Sequence, residues 1–161
     1  MTIRNIKEFA AVGLFATVIC CALPRDAFGQ TQETCKVEIK SPKIGEKVGA
    51  TPDVTGTATI KAGYYVWAFA HKKGLNIWWP QGAGPAEIKN DEFTISITLG
   101  QDRDRGSSFE IVVGVVDREA NNKLLSWFRK GDETGNYPGI PLPPVVKDCG
   151  DPPRVTVLRV E

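Results

Sequence analysis

The segment from Phe93 to Leu99 alternates apolar and polar side chains at every position, and this period of two constrains the fold more than any other feature. Successive side chains of a β-strand point to opposite faces of a sheet, so one set is expected in a core and the other in solvent. The expected core set is Phe93, Ile95, Ile97 and Leu99, and the expected solvent set is Thr94, Ser96 and Thr98.

Six more segments are rich in β-branched or aromatic residues, and turns that contain Gly or Pro follow several of them. These segments are Cys35–Lys40, Val54–Ile60, Tyr64–His71, Ile77–Trp79, Phe109–Val116 and Val155–Val160. Tyr64–His71 and Phe109–Val116 are apolar enough to be central strands. With 16 Gly and 11 Pro in 161 residues, the chain is predicted to form one all-β domain, an antiparallel sandwich of about seven to eight strands.

One helix is predicted, from Glu119 to Lys130, with Gly131 as its stop. Its apolar face is formed by Leu124, Trp127 and Phe128, which fall at positions i, i+3 and i+4. The helix belongs to a long connection, roughly 118 to 151, before the last strand. The Ile140–Pro144 run within this connection is predicted to be a rigid strap across a sandwich edge rather than a peptide ligand for an aromatic groove.

The first 29 residues resemble a secretory signal peptide, and residues 30–34 form a polar lead-in to a domain that covers 35–161. Arg4 and Lys7 precede an apolar run from Phe9 to Leu23. That run of about 15 residues is shorter than the roughly 20 that a membrane-spanning helix needs. The chain is therefore expected to be exported to the periplasm or the exterior without membrane insertion after cleavage. The alternative is an uncleaved N-terminal anchor.

Removal of residues 1–29 takes away three of the 20 basic and two of the 19 acidic residues, which leaves 17 of each. A neutral chain without a basic stripe argues against nucleic acid as a ligand. It also offers no polybasic patch to an anionic membrane surface.

Two cysteines, Cys35 and Cys149, remain in the predicted mature chain, one near each end of the domain. In an exported protein such a pair is expected to form a disulfide. The alternative is a pair of free buried thiols.

The opening strands carry a familiar pattern: Ile39, Ser41-Pro42, Gly45 and Val48, followed by Val54-x-Gly56-x-Ala58. This pattern resembles bacterial immunoglobulin-like and fibronectin-type-III-like sandwich domains, and the resemblance extends over Cys35–Glu161. It implies a secreted binding, adhesion or spacer module. It also implies that the first and last strands run side by side and parallel, so that Cys35 and Cys149 meet at one end. Unlike the cysteines of antibody-type domains, these two lie at strand ends.

The residue types that catalysis or a cofactor would need do not form a recognisable set. His71 is the only histidine, and no motif places a nucleophile beside it. Asp102 and Asp104 have the spacing of calcium ligands, but a third ligand is missing and arginines intervene. A solvated turn is the favoured interpretation, and no metal, cofactor or catalytic residue is predicted. A small hydrolase is retained as the third hypothesis.

Aromatic residues supply the better functional signal. Trp78 and Trp79 are adjacent, so a strand would bury one and expose the other, and Trp79 is expected to face outward. Trp67 and Trp127 are expected in the core. The predicted binding residues are His71, Lys73, Trp78, Trp79 and Tyr137. The predicted function is non-catalytic binding of a glycan or an envelope protein, with a structural spacer or assembly subunit of unspecified oligomeric state as the alternative.

Overall fold

The structure is a computed structural model, and it describes residues 35–161. The predicted signal peptide and lead-in lie outside the described residues. The strands are β1 (Lys36–Ser41), β2 (Lys47–Val48), β3 (Asp53–Thr59), β4 (Tyr65–Lys72), β5 (Trp79–Pro80), β6 (Glu92–Ser96), β7 (Ser108–Val116) and β8 (Arg154–Arg159). One α-helix, α1 (Arg118–Thr134), and two short 3-10 turns, Asp102–Asp104 and Lys147–Cys149, complete the described part.

The strands form two sheets, one in the order β1-β3-β6 and the other in the order β2-β8-β7-β4-β5. The prediction of a purely antiparallel sandwich is wrong, because β2 pairs with β8 in parallel. The expectation that the first and last strands run side by side is also wrong. Strand β1 pairs with β3 in the first sheet, whereas β8 belongs to the second. The short strand that follows β1 takes the place beside β8, since the chain crosses from one sheet to the other between them.

Apolar side chains on both faces of the second sheet build two cores. Between the sheets, the predicted core set Phe93, Ile95, Ile97 and Leu99 is at most 4% exposed, which confirms the period-two interpretation. On the other face, Trp67 and Phe69 of β4 pack with Val112 and Val116 of β7 against Leu124 of α1. Strands β4 and β7 are central in the sheet, as predicted. Their second apolar face requires the cover that α1 provides.

Helix α1 begins at Arg118, one residue before the predicted start at Glu119, and ends at Thr134, beyond the predicted end at Lys130. Asp117 caps it by accepting a hydrogen bond from the backbone N–H of Ala120 at 2.8 Å. The predicted stop at Gly131 is wrong, because the helix continues to Thr134 and Gly135 takes the left-handed conformation at φ 66°. Within residues 35–161, no helix is long and apolar enough to cross a membrane.

The connection after α1 returns along the open edge of the second sheet. The predicted strand Ile77–Trp79 is shifted, since β5 comprises Trp79–Pro80 and Trp78 pairs instead with Ile140. The backbone N–H of Trp78 donates to Ile140 O at 2.7 Å, and the N–H of Ile140 donates to Trp78 O at 2.8 Å. The Ile140–Pro144 strap therefore covers this edge, as the sequence predicted.

Cys35 and Cys149 form a disulfide, with their Cα atoms 4.5 Å apart and 114 positions apart in the chain. The bridge joins the start of β1 to the turn before β8. It closes a loop that contains seven of the eight described strands and α1. A closed loop of this length restricts the unfolded chain strongly.

Loss of the disulfide is expected to lower the free energy of unfolding by about 2–5 kcal/mol, because the unfolded chain regains the entropy of an open loop. Urea denaturation of the chain from residue 30 onward, compared with its Cys35→Ser/Cys149→Ser variant, measures the difference. Equal denaturation midpoints for the two proteins would contradict the expectation.

Candidate functional site

A cleft of about 640 Å³ lies at the β5 edge of the second sheet, within the range of about 300–1,000 Å³ that small-molecule sites occupy. Four groups of elements line it: the end of β4 with the turn after it, β5, the turn between β6 and β7, and α1 with the residues directly after it, 135–137. Trp79, Trp127 and Tyr137 are its large aromatic residues, and Lys72, Arg103 and Asp104 are its charged ones.

Two indole groups hold the segment between α1 and the strap beside the cleft. Trp79 Nε1 donates to the carbonyl of Tyr137 at 2.9 Å. Trp127 Nε1 donates to the next carbonyl, that of Pro138, at 3.0 Å. Both indoles are partly exposed. Because their N–H groups are already used, a ligand would meet their ring surfaces rather than their donors.

Tyr137 completes the aromatic side of the cleft and is 38% exposed. Its ring centre lies 5.4 Å from that of Trp127 and 6.4 Å from that of Phe128. Its hydroxyl donates to the carboxylate of Asp132, and this hydrogen bond raises the pKa of Tyr137. The phenol thus stays protonated and fixed to the helix while part of its ring remains accessible.

Trp78 is buried rather than exposed. It is 7% exposed, and its ring stacks on His71 with centroids 3.8 Å apart and an interplanar angle of 18°. Trp79 is more exposed than Trp78, as the sequence predicted. The predicted binding residue Trp78 therefore contributes to the second core and does not line the cleft.

His71 is the first member of a polar row across the helix-facing side of the second sheet. Its Nε2 lies 3.3 Å from Glu110 Oε2, and Arg154 Nη1 donates to Glu110 Oε1 at 3.0 Å. An ionised carboxylate only accepts, so Nε2 carries a proton. Within residues 35–161, the buried Nδ1 atom of His71 has no hydrogen-bond partner. His71 is 8% exposed and so offers a ligand little surface.

The pKa of Glu110 is set by opposing effects. Partial burial raises it, but the hydrogen bonds and charges of Arg154 and His71 together outweigh burial and lower the pKa below its usual range. The carboxylate is consequently ionised at neutral pH. It links β4, β7 and β8 through side chains at one end of the sheet.

The turn between β6 and β7 supplies the charged side of the cleft. Asp104 accepts from Lys72 Nζ at 3.0 Å and from the backbone N–H of Gln101 at 2.8 Å. The hydrogen bond from the Gln101 N–H has the largest effect and lowers the pKa of Asp104, and the hydrogen bond from Lys72 lowers it further. These two bonds fix the conformation of the turn. The sequence had favoured a solvated turn over a calcium-binding loop at this place. Within the described residues, no three His, Cys, Asp or Glu side chains are grouped to hold a metal ion.

The structure thus brings His71, Trp79 and Tyr137 together around one cleft, whereas Trp78 and Lys73 lie outside its lining. Lys73 is exposed in the turn after β4. The expectation that Trp127 is a core residue is wrong, because its side chain is partly exposed and lines the cleft. Helical periodicity identifies the apolar face but not how far the partner surface extends under it.

Sequence reasoning also missed the cleft role of Arg103 and the ion pair that Lys72 forms with Asp104. Both stand in stretches that the sequence marks only as charged turns or strand ends. Their proximity depends on the β6–β7 turn reaching the end of β4, which places Asp104 against Lys72. Pairs 32 positions apart leave no local pattern in the sequence.

Glu110→Gln is expected to lower stability at neutral pH and to flatten its dependence on acid. Because the folded pKa of Glu110 lies below its unfolded value of about 4.3, its contribution is present above that value and is lost as the pH falls through the folded pKa. The loss at pH 7 should be about 1–2 kcal/mol, since charged hydrogen bonds are removed. Urea midpoints at several pH values between about 3 and 7 provide the measurement.

Glu119→Gln is the matched control for this change, because Glu119 pairs only with Lys123 on the exposed face of α1. Its urea midpoints should stay close to those of the unmodified protein. Parallel pH profiles for Glu110→Gln and the unmodified protein would show that Glu110 does not stabilise the fold.

Gly131→Ala is expected to lose stability, although alanine ordinarily favours a helix over glycine by about 1 kcal/mol. A Cβ atom at Gly131 would lie 2.2 Å from Tyr137 Cε1, so the Tyr137 ring must leave its place against α1. Thermal unfolding followed by circular dichroism tests this. Ser126→Ala on the exposed side of the same helix is the control, and it should raise the melting temperature slightly. A similar rise for Gly131→Ala would contradict the packing argument.

The sequence matches no protein-family model, and no curated protein matches it at a significant level. No residue role is therefore carried over from a relative. The contacts, burial and charges of the cleft are the basis for assigning a function.

Proposed function

We propose that this chain is an exported, non-catalytic binding module of the cell envelope that takes a glycan into the cleft at the β5 edge. The observation that carries the proposal is the convergence of Trp79, Trp127 and Tyr137 on one cleft that also contains polar side chains. Partly exposed aromatic rings offer apolar surface for stacking, and polar neighbours fix the orientation of a ligand. Sugars present both an apolar ring face and hydroxyl groups, so they suit such a lining.

Export is supported by the Cys35–Cys149 disulfide, since such bonds persist in oxidising compartments. The predicted signal peptide agrees with this location. A disulfide that joins the two ends of the domain also stabilises the fold, because it restricts the unfolded chain.

The proposed scaffold is an immunoglobulin-like sandwich. Immunoglobulin constant-type domains place their first, second, fourth and fifth strands in one sheet and their third, sixth and seventh in the other, and within residues 35–161 the first sheet has no counterpart of the fourth. Strands β1, β3 and β6 on one side and β4, β7 and β8 on the other follow this division. The helix and strap between β7 and β8 are then an elaboration of the last connection of the sandwich.

A non-catalytic role is supported by the state of His71. It is the only histidine, it is 8% exposed, and its Nε2 faces Glu110. A general base must reach the proton that it abstracts, and a ring packed between Trp78 and the sheet is poorly placed to do so.

A protein partner is the second candidate, favoured by two exposed apolar residues beside the cleft. Leu75 is 41% exposed and Ile77 is 40% exposed. Exposed aliphatic side chains next to aromatic rings are common at protein interfaces. The spacer or assembly hypothesis finds less support, because Ile140 covers the β5 edge and charged side chains alternate along β1.

Trp79→Ala is expected to weaken binding about five- to tenfold, because an aromatic contact of about 1–1.5 kcal/mol is lost. A glycan array probed with the chain from residue 30 onward, followed by calorimetry on the best glycans, measures the effect. A pull-down from envelope extract tests the protein candidate in parallel.

Trp79→Phe separates the two roles of this side chain, since it keeps a ring but removes the N–H that holds Tyr137. Lys73→Ala is the control outside the cleft lining and should bind normally. A folded Trp79→Ala protein that retains full binding to every glycan would refute the site assignment.

A further inference from the structure

One basic side chain in the cleft, Arg103, is near enough to Asp104 to help lower the pKa of that carboxylate but forms no salt bridge with it. Lys72 and Asp104 lie 3.0 Å apart, so their charges compensate each other. Arg103 is exposed, and within residues 35–161 it forms no salt bridge. The lining contains two basic residues, Lys72 and Arg103, and one acidic residue, Asp104, so the side of the cleft formed by this turn has an excess of basic residues.

The carboxylate of Asp104 is held away from a second partner. One oxygen accepts from Lys72, and the other accepts from the backbone N–H of Gln101 at 2.8 Å. Rotation of the carboxylate towards Arg103 would break a bond that closes the turn. Arg103 therefore keeps its guanidinium available to an incoming anion.

The turn that carries Arg103 is fixed from within the protein. Arg159 is 2% exposed, and its Nη1 donates to the carbonyls of Leu99, at 2.7 Å, and Gln101. Lys72 and the Gln101 N–H hold the turn through Asp104. A backbone ordered before a ligand arrives reduces the entropy lost on binding.

From this arrangement we infer that the ligand of the cleft is an acidic glycan, an oligosaccharide whose sugar rings bear carboxylates. The inference rests on the proposed function. A sugar ring packs on the exposed surfaces of Trp79 and Tyr137, and a ring carboxylate pairs with the forked donors of Arg103. Asp132 occupies the Tyr137 hydroxyl as its hydrogen-bond acceptor, so that hydroxyl offers no free donor to an anion and the ligand carboxylate is directed to Arg103.

Calorimetry tests the inference with tetrasaccharides of galacturonate, glucuronate and mannuronate, each compared with its carboxyl-reduced, neutral form. At least one acidic form should bind about tenfold or more tightly than its neutral form, the effect of one charge-assisted hydrogen-bonded pair. The preference should shrink as salt is raised from about 0.05 to 0.5 M, because the pair is near the surface.

Arg103→Gln should remove the preference for the acidic form and leave the neutral form bound as before. Arg105→Gln is the matched control, since Arg105 is exposed two residues away and does not line the cleft. It should keep the preference. Circular dichroism spectra of both variants verify that they are folded.

The outcomes separate this inference from the proposed function. Equal binding of acidic and neutral tetrasaccharides overturns the inference and leaves glycan binding standing. A preference that survives Arg103→Gln also overturns it. If neither the tetrasaccharides nor any glycan of the array binds, both the inference and the proposed glycan function fail.

Discussion

Strands β4 and β7 carry apolar side chains on both faces, and a sheet of this kind needs a layer on each side. The three-stranded sheet covers one face, through the core that contains Phe93 and Ile95. Helix α1 and the strap cover the other, where Trp67 and Phe69 are buried. Hydrophobic burial on that second face thus explains why a long connection stands between β7 and β8, a place where an ordinary sandwich has a short loop.

Indole groups attach this outer layer to the sheet. The chain has four tryptophans, and three of them donate their N–H groups to the connection between β7 and β8. Trp67 of β4 donates to Asn121 of α1 at 3.0 Å, and Trp79 of β5 donates to Tyr137, so these two attach the layer to the sheet. Trp127 lies on α1 and donates to Pro138, a bond within the layer itself. The fourth, Trp78, exchanges two backbone hydrogen bonds with Ile140. The cleft lies where this layer ends, so the aromatic side chains that hold the layer also form part of the lining.

Much of the scaffold was accessible from the sequence because its signals are local. The period of two in Phe93–Leu99 predicted a buried face, and the spacing of Leu124 and Phe128 predicted the helix. Adjacency alone predicted that Trp78 and Trp79 would differ in exposure, since their side chains alternate. The pairing of β2 with β8 was missed, because a two-residue strand has no periodicity to detect.

The cleft was predicted less completely because its parts meet only in three dimensions. His71, Trp79 and Tyr137 were identified by residue type, but the sequence could not place Lys72 beside Asp104. It also gave no sign that Gly131 lies beneath the Tyr137 ring rather than at the helix end. Residue type indicates what a side chain is able to do, whereas its neighbours decide whether it is buried, bonded or free.

The position of the disulfide has a consequence for resistance to proteolysis. Cys35 and Cys149 enclose α1, the strap and the cleft within one covalent loop. If a protease cuts the exposed backbone of the strap or of the turn after β4, both fragments stay joined through sulfur. They remain at high effective concentration and keep the contacts that bury Trp67 and Phe69. A nicked molecule can therefore hold its cleft together where a chain without the bridge would come apart.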